Sequence, residues 1–170
     1  PGPEGRPLFP LVFCRVCGQE YYVVRRVGGS VHPDAESWQA IAPEDEEDAE
    51  QGYLMADPEG RWRYSRDVLP EHWLDSRGYV KREYHPYEPE AVHVAPSGEL
   101  FDEPRPGTVP AWFLKKPFML CLSCAEAYTR ADKSDYRKLS RLSSEGRSTA
   151  TTLLSLSSVA ALRSAGITEE

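Results

Sequence analysis

The four cysteines of the chain form two pairs of identical spacing, and they are the residues with the clearest chemistry. Cys14 and Cys17 make one C-x-x-C pair, and Cys121 and Cys124 make the other. Structural zinc binds four ligands in a tetrahedron, and a C-x-x-C turn places two thiolates on one tight loop. The spacing therefore predicts one four-cysteine site with structural Zn²⁺ as its cofactor.

Two other uses of these thiols stay open. Two C-x-x-C disulfides or a redox dithiol would use the same spacing, although a redox pair usually opens a helix in a thioredoxin-like pattern, which does not surround Cys14. An iron–sulfur cluster cannot be told from zinc by spacing alone. Four thiolates leave zinc no open position, so the predicted site is structural and we predict no catalytic residue.

Each pair follows an apolar run that favours a strand. Residues 11–13 lead into the first pair, and residues 20–25 resume a run rich in aromatic and β-branched side chains. Gly18 between them suits a reversal that needs a positive φ. Residues 118–120 and 125–128 repeat this arrangement more weakly around the second pair. The pattern predicts the paired knuckles of a zinc ribbon.

The stretch between the knuckles predicts strands and turns. Residues 91–94 and 99–101 flank the turn residues 95–98 and should form a hairpin. The other expectations are strands at 38–41, 53–55, 61–64 and 79–84, turns at 28–30 and 57–60, a helical turn at 70–75 and an irregular connector at 102–110. The predicted organisation is a first knuckle at 1–30, a β-rich insertion at 31–117, a second knuckle at 118–130 and C-terminal helices at 131–170.

The C-terminal part changes character. A short helix is expected at 134–142, with apolar residues three apart, and a longer one from an N-cap at Ser148 to about residue 164, before Gly166. The longer helix is apolar on more than one face, so it should be buried against several neighbours. The predicted fold class is α+β, with a zinc-ribbon-like four-cysteine core, a β-rich insertion and C-terminal helices.

The composition of the chain limits the partners and the cellular location that we expect. The 170 residues carry a net charge of −7 and contain no apolar run near 20 residues, so no membrane partner is expected. The N-terminal residues do not form a signal-peptide pattern, and reduced thiols fit a cytoplasmic location. The chain begins with Pro1, so we treat it as part of a longer protein.

The charges are unevenly distributed. Residues 44–50 include six carboxylates, which favour a solvated loop, whereas residues 128–164 carry seven basic side chains against three acidic ones. The aromatic residues of the insertion favour core packing over base stacking. An acidic surface of this kind also suits a protein-docking module that does not bind nucleic acid, and we keep that alternative.

Residues 138–156 resemble a stretch in large bacterial DEAD/DEAH-box helicases of superfamily 2, including helicases of phage-defence loci. Residues 13–21 resemble a cysteine knuckle found in such proteins. The resemblance implies a cysteine-containing insertion beside the second RecA-like motor lobe, to which the final helix would belong. It also implies that the parent protein is an ATP-dependent helicase with an antiviral role.

The motor elements themselves are not expected in this part of the parent protein. The sequence has no G-x-x-x-x-G-K-[ST] phosphate loop and no acidic metal-binding box on a strand. We therefore expect no enzymatic activity from this chain, and a role in guiding DNA or docking an accessory subunit. Its expected partners are nucleic acid, chiefly DNA, and the remaining helicase domains or a subunit.

Candidate nucleic-acid contacts lie in the basic C-terminal part. A helix N-terminus offers unpaired N–H groups to a phosphate, and hydroxyl groups beside an arginine add contacts. The competing interpretation is that Ser148 only caps its helix. The candidate residues are Lys138, Arg141, Arg147, Ser148, Thr149 and Thr151.

Overall fold

Runs of aromatic and aliphatic residues build an antiparallel β-sheet, which dominates the residues that the computed structural model describes, 8–34, 49–132 and 134–141. The described residues form eight strands: β1 (Leu11–Cys14), β2 (Glu20–Val27), β3 (Ser30–Pro33), β4 (Glu50–Ala56), β5 (Glu90–Val94), β6 (Leu100–Phe101), β7 (Val109–Lys115) and β8 (Leu139–Arg141). Seven of them lie in the order β6-β5-β7-β4-β2-β1-β8, and β3 pairs with β2 beside this path.

Strand β2 organises the sheet. Its residues 22–26 pair with β4, while residues 20–22 pair with β1 and residues 24–27 pair with β3. Because a strand has two edges, β1 and β3 share the edge that β4 does not use. Gly28 and Gly29, with φ of +55° and +81°, make the predicted turn into β3.

The two faces of the sheet carry separate hydrophobic cores. In β2, Tyr21 and Val23 point into the larger core and Val24 points into the smaller one; in β4, Tyr53 and Leu54 divide in the same way. The larger core also contains two of the cysteines. The cysteine site is therefore anchored on the more deeply packed face.

The predicted hairpin around residues 95–98 is confirmed, since Val94 pairs with Leu100. The strand predicted at 53–55 and the turn at 57–60 are also present. The helical turn expected at 70–75 is a 3₁₀ turn over Glu71–Trp73.

Two predicted strands are wrong, at residues 61–64 and 79–84. The carboxylate of Asp57 accepts the backbone N–H groups of Arg61 and Trp62 at 2.8 and 3.0 Å, and the carboxylate of Asp75 accepts the N–H of Tyr79 at 2.9 Å. These side chains use the N–H groups that a strand would need for its neighbour, so both stretches are irregular.

The short helix predicted at residues 134–142 is also wrong. A 3₁₀ turn, Asp135–Arg137, is followed there by β8, in which Leu139 is completely buried. Tyr136 is 68% exposed whereas Leu139 is 0% exposed, so these two residues do not share a face as they would on the predicted helix. The expected helix at 148–164 and the expected strand at 38–41 lie outside the described residues.

The α+β class is not supported, because the helical elements of the described residues are 3₁₀ turns: Arg66–Val68, Glu71–Trp73, His85–Tyr87 and Asp135–Arg137. No helix among them combines the length and the apolar character needed to cross a bilayer. The chain divides into two compact units, residues 1–140 and 141–170.

Candidate metal centre

The first knuckle is the turn that joins β1 to β2. The backbone N–H of Cys14 donates to the carbonyl of Gln19 at 2.8 Å, and the N–H of Gly18 donates to the carbonyl of Cys14 at 2.9 Å. Gly18 has a φ of +78°, as expected from the sequence, because the chain reverses in a left-handed conformation that glycine adopts without steric cost. The turn holds Cys14 and Cys17 on one short loop.

The second knuckle repeats this hydrogen bonding at the same offsets. The N–H of Cys121 donates to the carbonyl of Glu126 at 2.8 Å, and the N–H of Ala125 donates to the carbonyl of Cys121 at 2.9 Å. Ala125 occupies the position equivalent to the glycine of the first knuckle and has a φ of +59°. A non-glycine residue is strained in this region, so the second knuckle is held in shape by its surroundings.

The four sulfur atoms meet between the knuckles, all within 4.8 Å of one another. The Sγ atoms of Cys17 and Cys121 are 3.7 Å apart, and those of Cys14 and Cys124 are 4.0 Å apart. Around a tetrahedral zinc ion with Zn–S distances of about 2.3 Å, neighbouring sulfurs lie about 3.8 Å apart. The four cysteines therefore could hold a metal ion with little rearrangement.

Burial divides the cysteines into two classes. Cys14 and Cys121 are buried, whereas Cys17 and Cys124 are exposed, and none of the four forms a disulfide in the described residues. A groove of about 740 Å³ reaches Cys17. The centre is therefore buried on the side of Cys14 and Cys121 and accessible to solvent on the side of Cys17 and Cys124.

The knuckle backbone directs N–H groups at the sulfurs. Burial raises the pKa of Cys14 and outweighs the N–H groups of Cys17 and Val16. At Cys17 burial is outweighed by the N–H of Gln19 and by the neighbouring thiols, so its pKa is lowered. Burial and the neighbouring thiols raise the pKa of Cys124 to about 12. Burial therefore disfavours the thiolate forms of Cys14 and Cys124, and a bound cation would stabilise them.

A buried tyrosine reaches the centre from β2. The hydroxyl of Tyr21 donates to the Sγ of Cys121 at 3.3 Å and accepts the N–H of Leu122 at 2.9 Å. Burial, and then the hydrogen bond to Cys121, raise the pKa of Tyr21 far above its ordinary value. The hydroxyl therefore stays protonated beside the sulfur.

Residues 134–140, which we call the latch, contact the first knuckle. The N–H of Arg15 donates to the carbonyl of Lys138 at 3.0 Å, and its Nε donates to the carbonyls of Tyr136 and Leu139 at 3.1 and 3.2 Å. The guanidinium also lies 5.5 Å from the centre of the Tyr136 ring. The latch therefore fixes the residue between the first two cysteine ligand candidates.

The latch reaches the second knuckle through a buried ion pair. The Nζ of Lys138 lies 3.1 Å from Oδ1 of Asp135, and their side chains are 1% and 5% exposed. Lys138 Nζ also donates to the carbonyl of Phe118 at 2.7 Å, while Asp135 accepts the Phe118 N–H at 3.0 Å and the Tyr53 hydroxyl at 2.7 Å. Each charge is thus paired and hydrogen-bonded, as buried charges must be.

The family model of the YjiV N-terminal domain matches residues 3–143, which is most of the chain. The chain belongs to the YjiV N-terminal domain family. The region matched by the family model includes both knuckles, the whole sheet and the latch. Searches among curated proteins and among solved structures found no significant match.

Among the candidate nucleic-acid contacts, Lys138 requires a correction. Its ammonium group is buried in the YjiV N-terminal domain and neutralised by Asp135, so it does not face a phosphate. Arg141 lies at the exposed end of β8. The other candidates, Arg147, Ser148, Thr149 and Thr151, lie outside the described residues.

The groups that support the cysteines are not predictable from the local sequence. The sequence indicates Tyr21 only as part of an aromatic strand and Asp135 only as a member of a charged segment, and it suggests a nucleic-acid contact, not a buried ion pair, for Lys138. Their partners are far away in sequence: Tyr21 contacts Cys121 across 100 residues, and Asp135 contacts Tyr53 across 82. No local pattern marks such contacts. The sequence of β2 offers no such signal, because residues 21–24 are all aromatic or aliphatic and do not show which of them face the cysteines.

Proposed function

We propose that the four cysteines hold one Zn²⁺ ion and that this ion is a structural clasp of the domain. The observation that carries the proposal is the set of sulfur distances, 3.7 and 4.0 Å across the knuckles and at most 4.8 Å overall. Four thiolates complete the tetrahedral shell of zinc and leave no position for a substrate. A structural role fits this closed ligand set better than a catalytic one.

The same distances favour zinc over the other uses of the thiols. A disulfide needs an S–S separation of about 2.05 Å, whereas all four cysteines are free thiols. An iron–sulfur cluster places several atoms between its ligands and so needs cysteine sulfurs that are farther apart than those around a single ion. The spacing of the sulfurs supports one small cation.

As a clasp, the ion would join parts of the chain that are far apart in sequence. The first knuckle belongs to the β1–β2 hairpin, and the second follows β7, so residues 18–120 form the loop that the metal closes. Closing a loop of this length removes considerable entropy from the unfolded chain. Metal-binding free energy then becomes folding free energy, because the unfolded chain has no preformed site.

Metal analysis of the purified protein tests the proposal. We expect one zinc per chain, and we expect a chelator to lower the denaturation midpoint sharply, with recovery when Zn²⁺ is returned. Cys121→Ser should lose the metal, whereas Ser123→Ala at the tip of the same knuckle is the matched control and should retain it. A metal-free protein of unchanged stability would refute the clasp.

We further propose that this module serves a nucleic-acid helicase or translocase, where it guides DNA or docks a subunit. The resemblance of residues 138–156 to superfamily 2 helicases and the basic character of residues 128–164 support this role. Binding to single- and double-stranded DNA should weaken as salt rises, because phosphate contacts release counterions. Absence of binding at low salt would leave the docking role, which predicts partner capture sensitive to charge reversal in residues 44–50.

A further inference from the structure

The hydroxyl group of Tyr21 is placed to act on one sulfur of the metal centre. A tyrosine hydroxyl has one hydrogen to donate, and the backbone N–H of Leu122, 2.9 Å away, already occupies its acceptor side. The donated hydrogen is directed at the Sγ of Cys121, 3.3 Å away. Tyr21 therefore joins β2 to the second knuckle through a ligand sulfur and through the backbone beside it.

The ring that carries this hydroxyl has little freedom to move. Tyr21 is completely buried, and its ring packs edge-on against Phe118 with 5.1 Å between centroids. On the sheet, Tyr21 pairs with Val12 of β1, two residues before Cys14. The same residue is thus held by the strand of the first knuckle and bonded to the second.

The target sulfur lies in the core, where a hydrogen-bond donor has most effect. Cys121 is completely buried, so water cannot solvate its negative charge. An unpartnered buried charge is costly, and hydrogen bonds to ligand atoms are a common way to orient ligands and tune a metal site. A neutral hydroxyl supplies the required donor without adding a charge to the core.

We propose that Tyr21 is a positioning residue of the metal centre, which holds the Cys121 thiolate in place and sets the affinity of the site for its metal. The inference rests on the metal clasp proposed above. The hydrogen bond favours metal binding because it orients the sulfur and offsets the cost of burying its charge, and it also lowers the energy of the sulfur electrons. Charge transfer from sulfur to a transition metal then requires more energy than it would without Tyr21.

Tyr21→Phe removes the hydroxyl and keeps the ring. Tyr53→Phe is a matched control, because the Tyr53 ring packs edge-on against the same Phe118 at 5.5 Å and its hydroxyl also makes a buried hydrogen bond, to Asp135 and not to sulfur. Affinity is measured by chelator competition with Zn²⁺, and sulfur-to-metal charge transfer by absorption of the Co²⁺ form. We expect Tyr21→Phe to weaken Zn²⁺ binding about 10- to 100-fold and to shift the Co²⁺ band to lower energy.

Tyr53→Phe should leave the band unmoved. Equal affinities and bands in wild type and Tyr21→Phe, or equal changes in both variants, would overturn the inference while leaving the clasp intact. A wild-type chain that binds neither metal would overturn both.

If Tyr21→Phe does not fold, NMR of the wild-type protein tests the proposal instead. In the ¹¹³Cd²⁺ form, the Tyr21 hydroxyl proton should exchange slowly and show scalar coupling to the metal through the Cys121 sulfur. A hydroxyl proton that exchanges at the rate of an exposed tyrosine, or shows no coupling, would contradict the proposal.

Discussion

Neutralising Asp135 should destabilise the domain more than neutralising an exposed carboxylate would. In Asp135→Asn the shape of the side chain and an acceptor for Phe118 remain, but Lys138, whose side chain is 1% exposed, loses its counter-charge. Removing one partner of a buried ion pair typically costs about 3–5 kcal/mol, because the other charge stays buried and uncompensated. We expect the free energy of unfolding to fall by about this amount.

A second substitution in the Asp135–Lys138 pair tests whether the uncompensated charge causes the loss of stability. If the loss comes from the stranded ammonium group, adding Lys138→Met should recover more than half of it, since replacing both members of a buried pair by apolar or neutral groups is often close to neutral. The two substitutions should therefore be strongly non-additive.

Urea unfolding of the metal-saturated protein, followed by tryptophan fluorescence and circular dichroism, measures these changes. Glu59→Gln serves as the control, because Glu59 pairs with Arg61 on the surface, where the side chains are 64% and 77% exposed. Exposed pairs contribute about 0–1 kcal/mol. A loss at Asp135→Asn no greater than at Glu59→Gln, or a double variant no more stable than the single one, would refute our account of the latch.

Two further predictions concern the knuckles and the sheet. Both knuckle positions 18 and 125 have positive φ, which glycine tolerates better than alanine. Ala125→Gly should therefore stabilise the protein by about 0.5–1 kcal/mol, and Gly18→Ala should destabilise it by about 1–2 kcal/mol. Thermal unfolding of both variants measures the two changes, and changes of the same sign would contradict the argument. Hydrogen bonds from Lys115 and then Arg26 lower the pKa of Glu50, so its contribution to stability is present above the ordinary carboxyl pKa and is lost as pH falls through the lowered value. Glu50→Gln should flatten the acid limb of a plot of unfolding free energy against pH, and an unchanged limb would count against this assignment.

Local sequence was a good guide where a turn and its flanking residues decide the structure together. The first knuckle, the β2–β3 turn at Gly28 and Gly29, and the hairpin around residues 95–98 all depend on contacts within a few residues. A glycine with positive φ, or a short turn between apolar runs, leaves few alternatives for the backbone. These elements were therefore predictable.

Prediction failed where a side chain far along the chain or a carboxylate in a loop competed with regular structure. Trp62 looked like a strand residue, but its N–H bonds to Asp57 while its ring packs 4.4 Å from that of Trp112. Leu139 looked like part of a helix, but the edge of the sheet buries it in an extended strand. At Trp62 a nearby carboxylate takes the backbone N–H, whereas at Leu139 tertiary burial outweighs the local pattern.

By itself, the sequence determined which residues could bind a metal, because two pairs of thiols at C-x-x-C spacing restrict the chemistry and the local turns. Only the tertiary structure decided that the pairs meet, since that depends on the packing of β1 and β2 against residues 118–127. It also supplied Tyr21, Asp135 and Lys138 as their supports. The physical reason is that ligand spacing is set by covalent geometry over a few residues, whereas burial and partners are set by contacts between residues about a hundred positions apart.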